Sequence, residues 1–154
     1  MSTKKYNVGI IGYGWAATAH IDAINKTAHA QVTAIYSSRP LDSATLSAKH
    51  GGKIKAYQSV EALLADPDIH VVDITSFPSQ HSAQAIAAAQ AKKHIILEKP
   101  MANTMAEVMQ IFEAAEKNGV KGCVCFECRF SSQMEATKAV IDQGLIGEIH
   151  YGEV

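Results

Sequence analysis

Short runs of apolar and β-branched residues alternate along the chain with alanine-rich, amphipathic stretches. That alternation predicts a parallel sheet with helices on both faces. The runs 8–11, 32–36, 55–57, 71–75, 94–97 and 122–126 read as strands. Between them, 18–25, 41–50 and the segment SAQAIAAAQA at 82–91 read as helices, each followed by a turn or strand signal. The stretch TMAEVMQIFEAAEKNG is the most fully specified. Thr104 and Glu107 have capping-box spacing, apolar positions recur at helical period, and Asn118-Gly119 supplies a left-handed stop. Towards the end, SQMEATKAVIDQGLIGEIHYGEV predicts a helix closed at Gly144 and a strand from about Glu148. A strand with nothing after it has no ladder partner. The expected organisation is therefore a core over 1–121, a closing strand and helix over 122–147, and at 148–154 the first strand of a truncated second α/β domain.

At 154 residues the chain is long enough for one domain with a true core. Hydrophobic residues make up 47%, charged residues 19%, and the formal net charge is -1, a balance that argues against a disordered acidic tail or a nucleic-acid partner. No apolar run approaches the roughly 20 residues that span a bilayer, so a soluble, cytoplasmic protein without a membrane partner is expected. Cys123, Cys125 and Cys128 lie close together in CVCFEC. A structural zinc site wants four ligands in paired spacing, and this set is one short with no adjacent histidine. On a strand, Cys123 and Cys125 would share a face as small hydrophobes, so the reading is free structural thiols and no metal, with a zinc module as the rival.

Two segments carry chemistry. VGIIGYGWAATAH sets Gly12 and Gly14 in a G-x-G-x-x-A turn between a predicted strand and a predicted helix, with Ala17 in the third position. Gly12 suits the tight turn, Gly14 lets a pyrophosphate approach the backbone, and the amides opening the next helix point their partial positive charge at it. This predicts a Rossmann-type, doubly wound dinucleotide fold, with Tyr13, Trp15 and Ala16 beside the cofactor. At the end of the second strand, where an acid would bind the ribose of NAD, the chain reads YSSRP. Ser37, Ser38 and Arg39 offer hydroxyls and a guanidinium suited to a 2'-phosphate, so NADP is expected, with NAD as the alternative. In the bland reading Ser38 caps a helix opened by Pro40 and Arg39 is solvated.

The second segment is HIILEKPMANT. Ligands of open α/β sheets bind outside the carboxyl ends of the strands, which places Glu98 and Lys99 beside the cofactor. A lysine there can hydrogen-bond a substrate hydroxyl and take part in proton transfer, with Pro100 fixing the turn that aims it. The alternative is a surface Glu-Lys pair that starts a loop.

Together and in order, GYGWAA, SFPSQH, LEKPMANT, FECRF and GLIGEI resemble the N-terminal domain of the glucose-fructose oxidoreductase, inositol dehydrogenase and rhizopine-catabolism family, Gfo/Idh/MocA. The resemblance implies an NAD(P)-dependent oxidoreductase acting on sugars, cyclitols and related polyols, with a second domain that forms the substrate floor. It implies that Lys99 is the active-site lysine and that Glu98 lies near the nicotinamide ribose. Thr75, Ser76 and Phe77 fall on the loop that lines the dinucleotide, although Ser76-Phe77 replaces the common Thr-Pro. His81 matches the histidine that opens the following helix. Glu127 replaces a frequent asparagine, with Arg129 and Phe130 in an E-x-R-F variant. The family's catalytic histidine would come from the substrate domain, and His150 is not given that role. The full-length protein is expected to be a homo-oligomer and this chain alone inactive. A non-catalytic dinucleotide-binding sensor is the alternative, and Lys99 argues against it.

Overall fold

The computed structural model describes residues 5–153. Its centre is a six-stranded parallel sheet of β1 (Tyr6–Ile11), β2 (Ala30–Tyr36), β3 (Lys55–Tyr57), β4 (Val71–Ile74), β5 (His94–Glu98) and β6 (Gly122–Cys125), in the order β3-β2-β1-β4-β5-β6. The helices are α1 (Trp15–Asn25), α2 (Ser43–His50), α3 (Val60–Leu64), α4 (Pro78–Gln90), α5 (Met105–Asn118) and α6 (Ser132–Asp142), with a 3-10 turn at Glu127–Phe130. This is the doubly wound α/β sheet that the alternation predicts.

The strands carry apolar side chains on both faces because helices cover both. On one face Val8, Ile10, Val32 and Ile35 pack against Ala17 and Ile21 of α1 and Leu46 of α2. On the other, Ile11, Val72, Ile74, Ile95 and Leu97 meet Ala85, Ala88 and Ala89 of α4 and Ile111 of α5. The small alanines let α4 lie close to the sheet.

All six predicted strands are present, with ends that move by one or two residues. Three helical features differ from expectation. The helix predicted from Ser82 begins at Pro78, a first-turn proline whose missing N–H costs nothing there. The helix predicted from Thr18 begins at Trp15. The short α3, capped by Ser59 on the Ala62 N–H at 3.1 Å, is absent from the sequence reading because five residues show no period. The capping box holds as predicted: Thr104 Oγ1 accepts from Glu107 N, Glu107 Oε2 accepts from Thr104 N, and Gly119 closes α5 in the left-handed region.

The closing strand and helix also form, but α6 lies against the 3-10 turn and buries no residue. The strand expected from Glu148 does not appear over residues 148–153, where the backbone pairs with no neighbouring strand. Val154 lies outside the described residues. No helix of the described residues is long and apolar enough to cross a membrane.

Candidate functional site

The strand order reverses between β1 and β4, so the loops after these two strands part and leave a crevice at their carboxyl ends. The two glycines at its edge have different duties. Gly12 has φ +98, and a Cβ there would stand 2.8 Å from Ser76 N and from the Thr75 carbonyl carbon. Its lack of a side chain is demanded by the fold itself, because two main chains touch. Gly14 has φ -114, and nothing lies within 4 Å of the Cβ it lacks. The fold would accept a side chain at Gly14, so the empty space above it is available to a ligand. Gly14 is also the N-cap of α1 and no side chain bonds the first-turn amides. Those free donors, at the positive end of the helix, are what a pyrophosphate recognises.

From this turn a cleft of about 500 Å³ runs over Ser37, Ser38 and Arg39 on one side and Thr75, Ser76 and Phe77 on the other, bringing both predicted cofactor loops together. A larger cleft of about 710 Å³ is lined by residues of β1, β2 and β3 and by 50–53, and contains none of the glycine-turn residues. Arg39 reaches back across the mouth to donate from Nη2 to the Tyr13 carbonyl at 2.7 Å, while its own N–H donates to Ser37 Oγ at 3.2 Å. Ser38 caps nothing. The helix opens at Ser43, and Asp42 is its cap, accepting from Thr45 N at 2.7 Å and Thr45 Oγ1 at 2.8 Å. These bonds hold the Asp42 carboxyl below its ordinary range. Among the described residues no carboxylate lines this cleft.

At the end of β5, Glu98 is half-buried, and Lys99, the next residue, is exposed, with its Nζ 3.6 Å from Glu127 Oε1. The Lys99-Pro100 peptide is cis. His81 is fully buried: its Nδ1 lies 2.8 Å from the Pro100 carbonyl and its Nε2 3.1 Å from the Ser76 carbonyl. It braces the two loops from beneath. At the start of α1, Trp15 is 86% exposed and Ala16 half-buried.

Sequence reasoning missed the group under Glu98. Asp73, wholly buried on β4, places Oδ2 2.9 Å from His20 Nδ1, and His20 Nε2 lies 3.0 Å from Glu98 Oε1. Asp73 Oδ1 has no hydrogen-bond partner. Burial raises the Asp73 carboxyl, and the hydrogen bond to Asp73 raises the His20 imidazole. An aspartate inside the apolar run VVDIT was the available signal, since a buried charge demands a partner.

Cys123 and Cys125, expected to share a strand face as small hydrophobes, are less enclosed than core residues. Cys123 and Cys128 are exposed, Cys125 is half-buried, and all three are free thiols. β6 is the sheet edge, which leaves its side chains more open to solvent than those of the inner strands. Cys125 Sγ lies within 4.8 Å of donor atoms of His20 and Glu98, but both imidazole nitrogens already face carboxylates, so the group is a hydrogen-bonded chain. Burial pushes the Cys125 thiol up to about 12.

A strand-turn-helix glycine loop, a fold-independent gap over Gly14 and a cleft at the switch point define a Rossmann-type dinucleotide-binding domain. The family model described as the oxidoreductase family with an NAD-binding Rossmann fold, GFO_IDH_MocA, matches residues 6–126, and the chain belongs to that family. It is 32% identical over 143 residues to myo-inositol 2-dehydrogenase of Thermotoga maritima, covering 93% of this chain and 42% of the relative. The scyllo-inositol dehydrogenase of Lactobacillus casei, solved with NAD(H) and scyllo-inositol, superposes with a TM-score of 0.82 at 28% identity over 95% of this chain and 43% of that one. Biliverdin reductase of Synechocystis, solved with biliverdin and NADP+, gives a TM-score of 0.80 at 30% identity over 92% of this chain and 44% of that one. The chain spans about two fifths of the length of the curated relatives it matches.

Proposed function

We propose that this chain is the cofactor half of a cytoplasmic oxidoreductase that moves a hydride between a polyol carbon, in a sugar or cyclitol, and C4 of a nicotinamide. The observation that carries the reading is the space over Gly14: a glycine the fold does not need, at an uncapped helix start, reserves room for a pyrophosphate. Ser37, Ser38 and Arg39 would hold the adenosine ribose, and Thr75, Ser76 and Phe77 the opposite wall. The cofactor is NADP in this reading. The cleft presents hydroxyls and a guanidinium and no carboxylate to the ribose, which favours a 2'-phosphate over a free 2'-hydroxyl. Free thiols fit a reducing compartment.

The bound nicotinamide supplies the hydride chemistry. This chain supplies position. Lys99, exposed at the end of β5, would donate from Nζ to the reacting hydroxyl, and its contact with Glu127 restrains where the ammonium can stand. The remaining length of the relatives leaves room for the proposed substrate domain and its proton-accepting histidine. The test is turnover by the complete gene product on sugars and cyclitols with both cofactors. Lys99→Ala should lower kcat by roughly two to four orders of magnitude while cofactor affinity changes little. Near-normal turnover in Lys99→Ala removes the lysine from the reaction.

A further inference from the structure

We propose that His20 is a positioning residue, an imidazolium that donates from both ring nitrogens to the carboxylates of Asp73 and Glu98 and thereby fixes the strand end that presents Lys99. The proposal rests on the reading of Lys99 given above.

The geometry counts the protons. A neutral imidazole has one N–H and one lone pair, yet both nitrogens here face carboxylate oxygens, at 2.9 and 3.0 Å. With a neutral ring, one of those contacts would set lone pair against lone pair. The chain therefore holds an additional proton. Glu98 is the weaker competitor, because Oε2 already accepts from the Lys99 backbone N–H at 3.0 Å and a glutamate carboxylate is less basic than an imidazole, at about 4.3 against about 6.5 in water. Between His20 and Asp73 the ring is the more basic partner, at about 6.5 against about 3.9 in water. The Glu98 charge on the other side of the ring adds to that preference, and the His20 imidazole is raised accordingly.

The other titratable groups near this chain do not compete for the proton. Cys125 on β6 is held up by burial and stays a neutral thiol. Lys99 and Glu127 pair with each other at the surface. The result is a continuous path from a wholly buried aspartate on β4, through α1, to the main-chain N–H of Lys99. Asp73 is immovable within the sheet, so this path transmits the position of the sheet to the turn. A carboxylate bonded at both oxygens cannot swing, and the backbone N–H it holds belongs to the residue proposed to meet the substrate. Two carboxylates and one imidazolium leave the cluster with one net negative charge beside Lys99, which suits a site that must hold an ammonium and an oxidised nicotinamide together.

The direct test needs no variant. In the 15N-labelled chain, long-range imidazole 1H–15N correlation spectra recorded from pH 5 to 9 report the protonation of each ring nitrogen. Both His20 nitrogens should carry protons at pH 7.5, where an ordinary imidazole has lost one, and Asp73→Asn should shift the loss to lower pH. A singly protonated His20 at pH 7.5 in the unaltered chain overturns the proposal. In the complete enzyme, His20→Gln should lower kcat on the order of ten- to a hundredfold, as small misplacements of a reacting group do, with KM and cofactor Kd within about twofold. The alkaline limb of the kcat profile that follows loss of the His20 proton should disappear in the same variant. Unchanged kcat, or an unchanged alkaline limb, refutes the positioning role. Normal turnover in Lys99→Ala refutes the lysine reading separately, since the spectra judge the imidazolium on their own.

Discussion

The two glycines of the turn should fail in opposite ways. In Gly12→Ala the new methyl sits 2.8 Å from Ser76 N and the Thr75 carbonyl carbon, on backbone with φ +98. Holding a non-glycine residue in that conformation costs about 1–3 kcal/mol. Forcing the two main chains apart costs about as much again, roughly 1–3 kcal/mol. The total, about 2–6 kcal/mol, is a large part of the roughly 5–15 kcal/mol that holds a domain together. At about 2–4 °C per kcal/mol for a chain of this size, Tm should fall on the order of 10 °C. Gly14→Val meets no atom within 4 Å and changes only the helix cap, costing about 1 kcal/mol. Its side chain, however, fills the pyrophosphate space. Losing two hydrogen bonds to a charged group, at about 1.5–3 kcal/mol each, should weaken dinucleotide binding by roughly a hundredfold or more. Urea unfolding and titration calorimetry with NADPH on the same three proteins decide the matter. A Gly12→Ala chain as stable as its parent would mean the loops do not touch. A folded Gly14→Val chain that binds within about threefold of the parent would remove the pyrophosphate from this cleft.

Three further outcomes are expected. Arg39→Ala should lose NADP affinity by roughly ten- to a hundredfold, the worth of one charge-assisted contact, with NAD affinity nearly constant, and calorimetry with both cofactors would expose equal losses. Lys99→Arg should not restore the turnover lost in Lys99→Ala, because a guanidinium keeps the charge but holds its proton near neutral pH; a steady-state assay showing rescue would make the lysine purely electrostatic. His20 is raised above its unfolded value of about 6.5, so the stability it contributes is complete below that pH and is lost as pH rises through the folded value. His50 is lowered by burial and acts only below about pH 6.5. Urea midpoints should therefore fall as pH rises above about 6.5, and Asp73→Asn should flatten that slope.

The sheet and its winding were legible because each strand is an apolar run between turn signals and both faces are buried. The sites where prediction stopped short share a cause: the information lies in space, not along the chain. The first turn of α1 was invisible because helix starts are recognised by capping side chains, and Gly14 leaves that position open. His20, Asp73 and Glu98 stand 53 and 78 positions apart in the two bonds that join them, and register between β4 and β5 brings them together. The strand expected at 148–154 followed local alternation alone, and alternation cannot supply a neighbour. The turn that carries Lys99, by contrast, was legible from local order, because it directly follows a buried strand, while the role expected of the lysine came from the family resemblance and not from its spacing.

The buried His81 ring is wedged between the Ser76 and Pro100 carbonyls and can donate its N–H to either, and Thr75 Oγ1 donates to the Gly12 carbonyl at 3.2 Å. The glycine loop, the loop after β4 and the turn that carries Lys99 are thus stitched into one jaw. Loops tied to one another in this way lose little freedom on binding, so binding energy is not diverted into ordering them. Lys99 therefore stands on a braced edge of the cleft and not on a free loop.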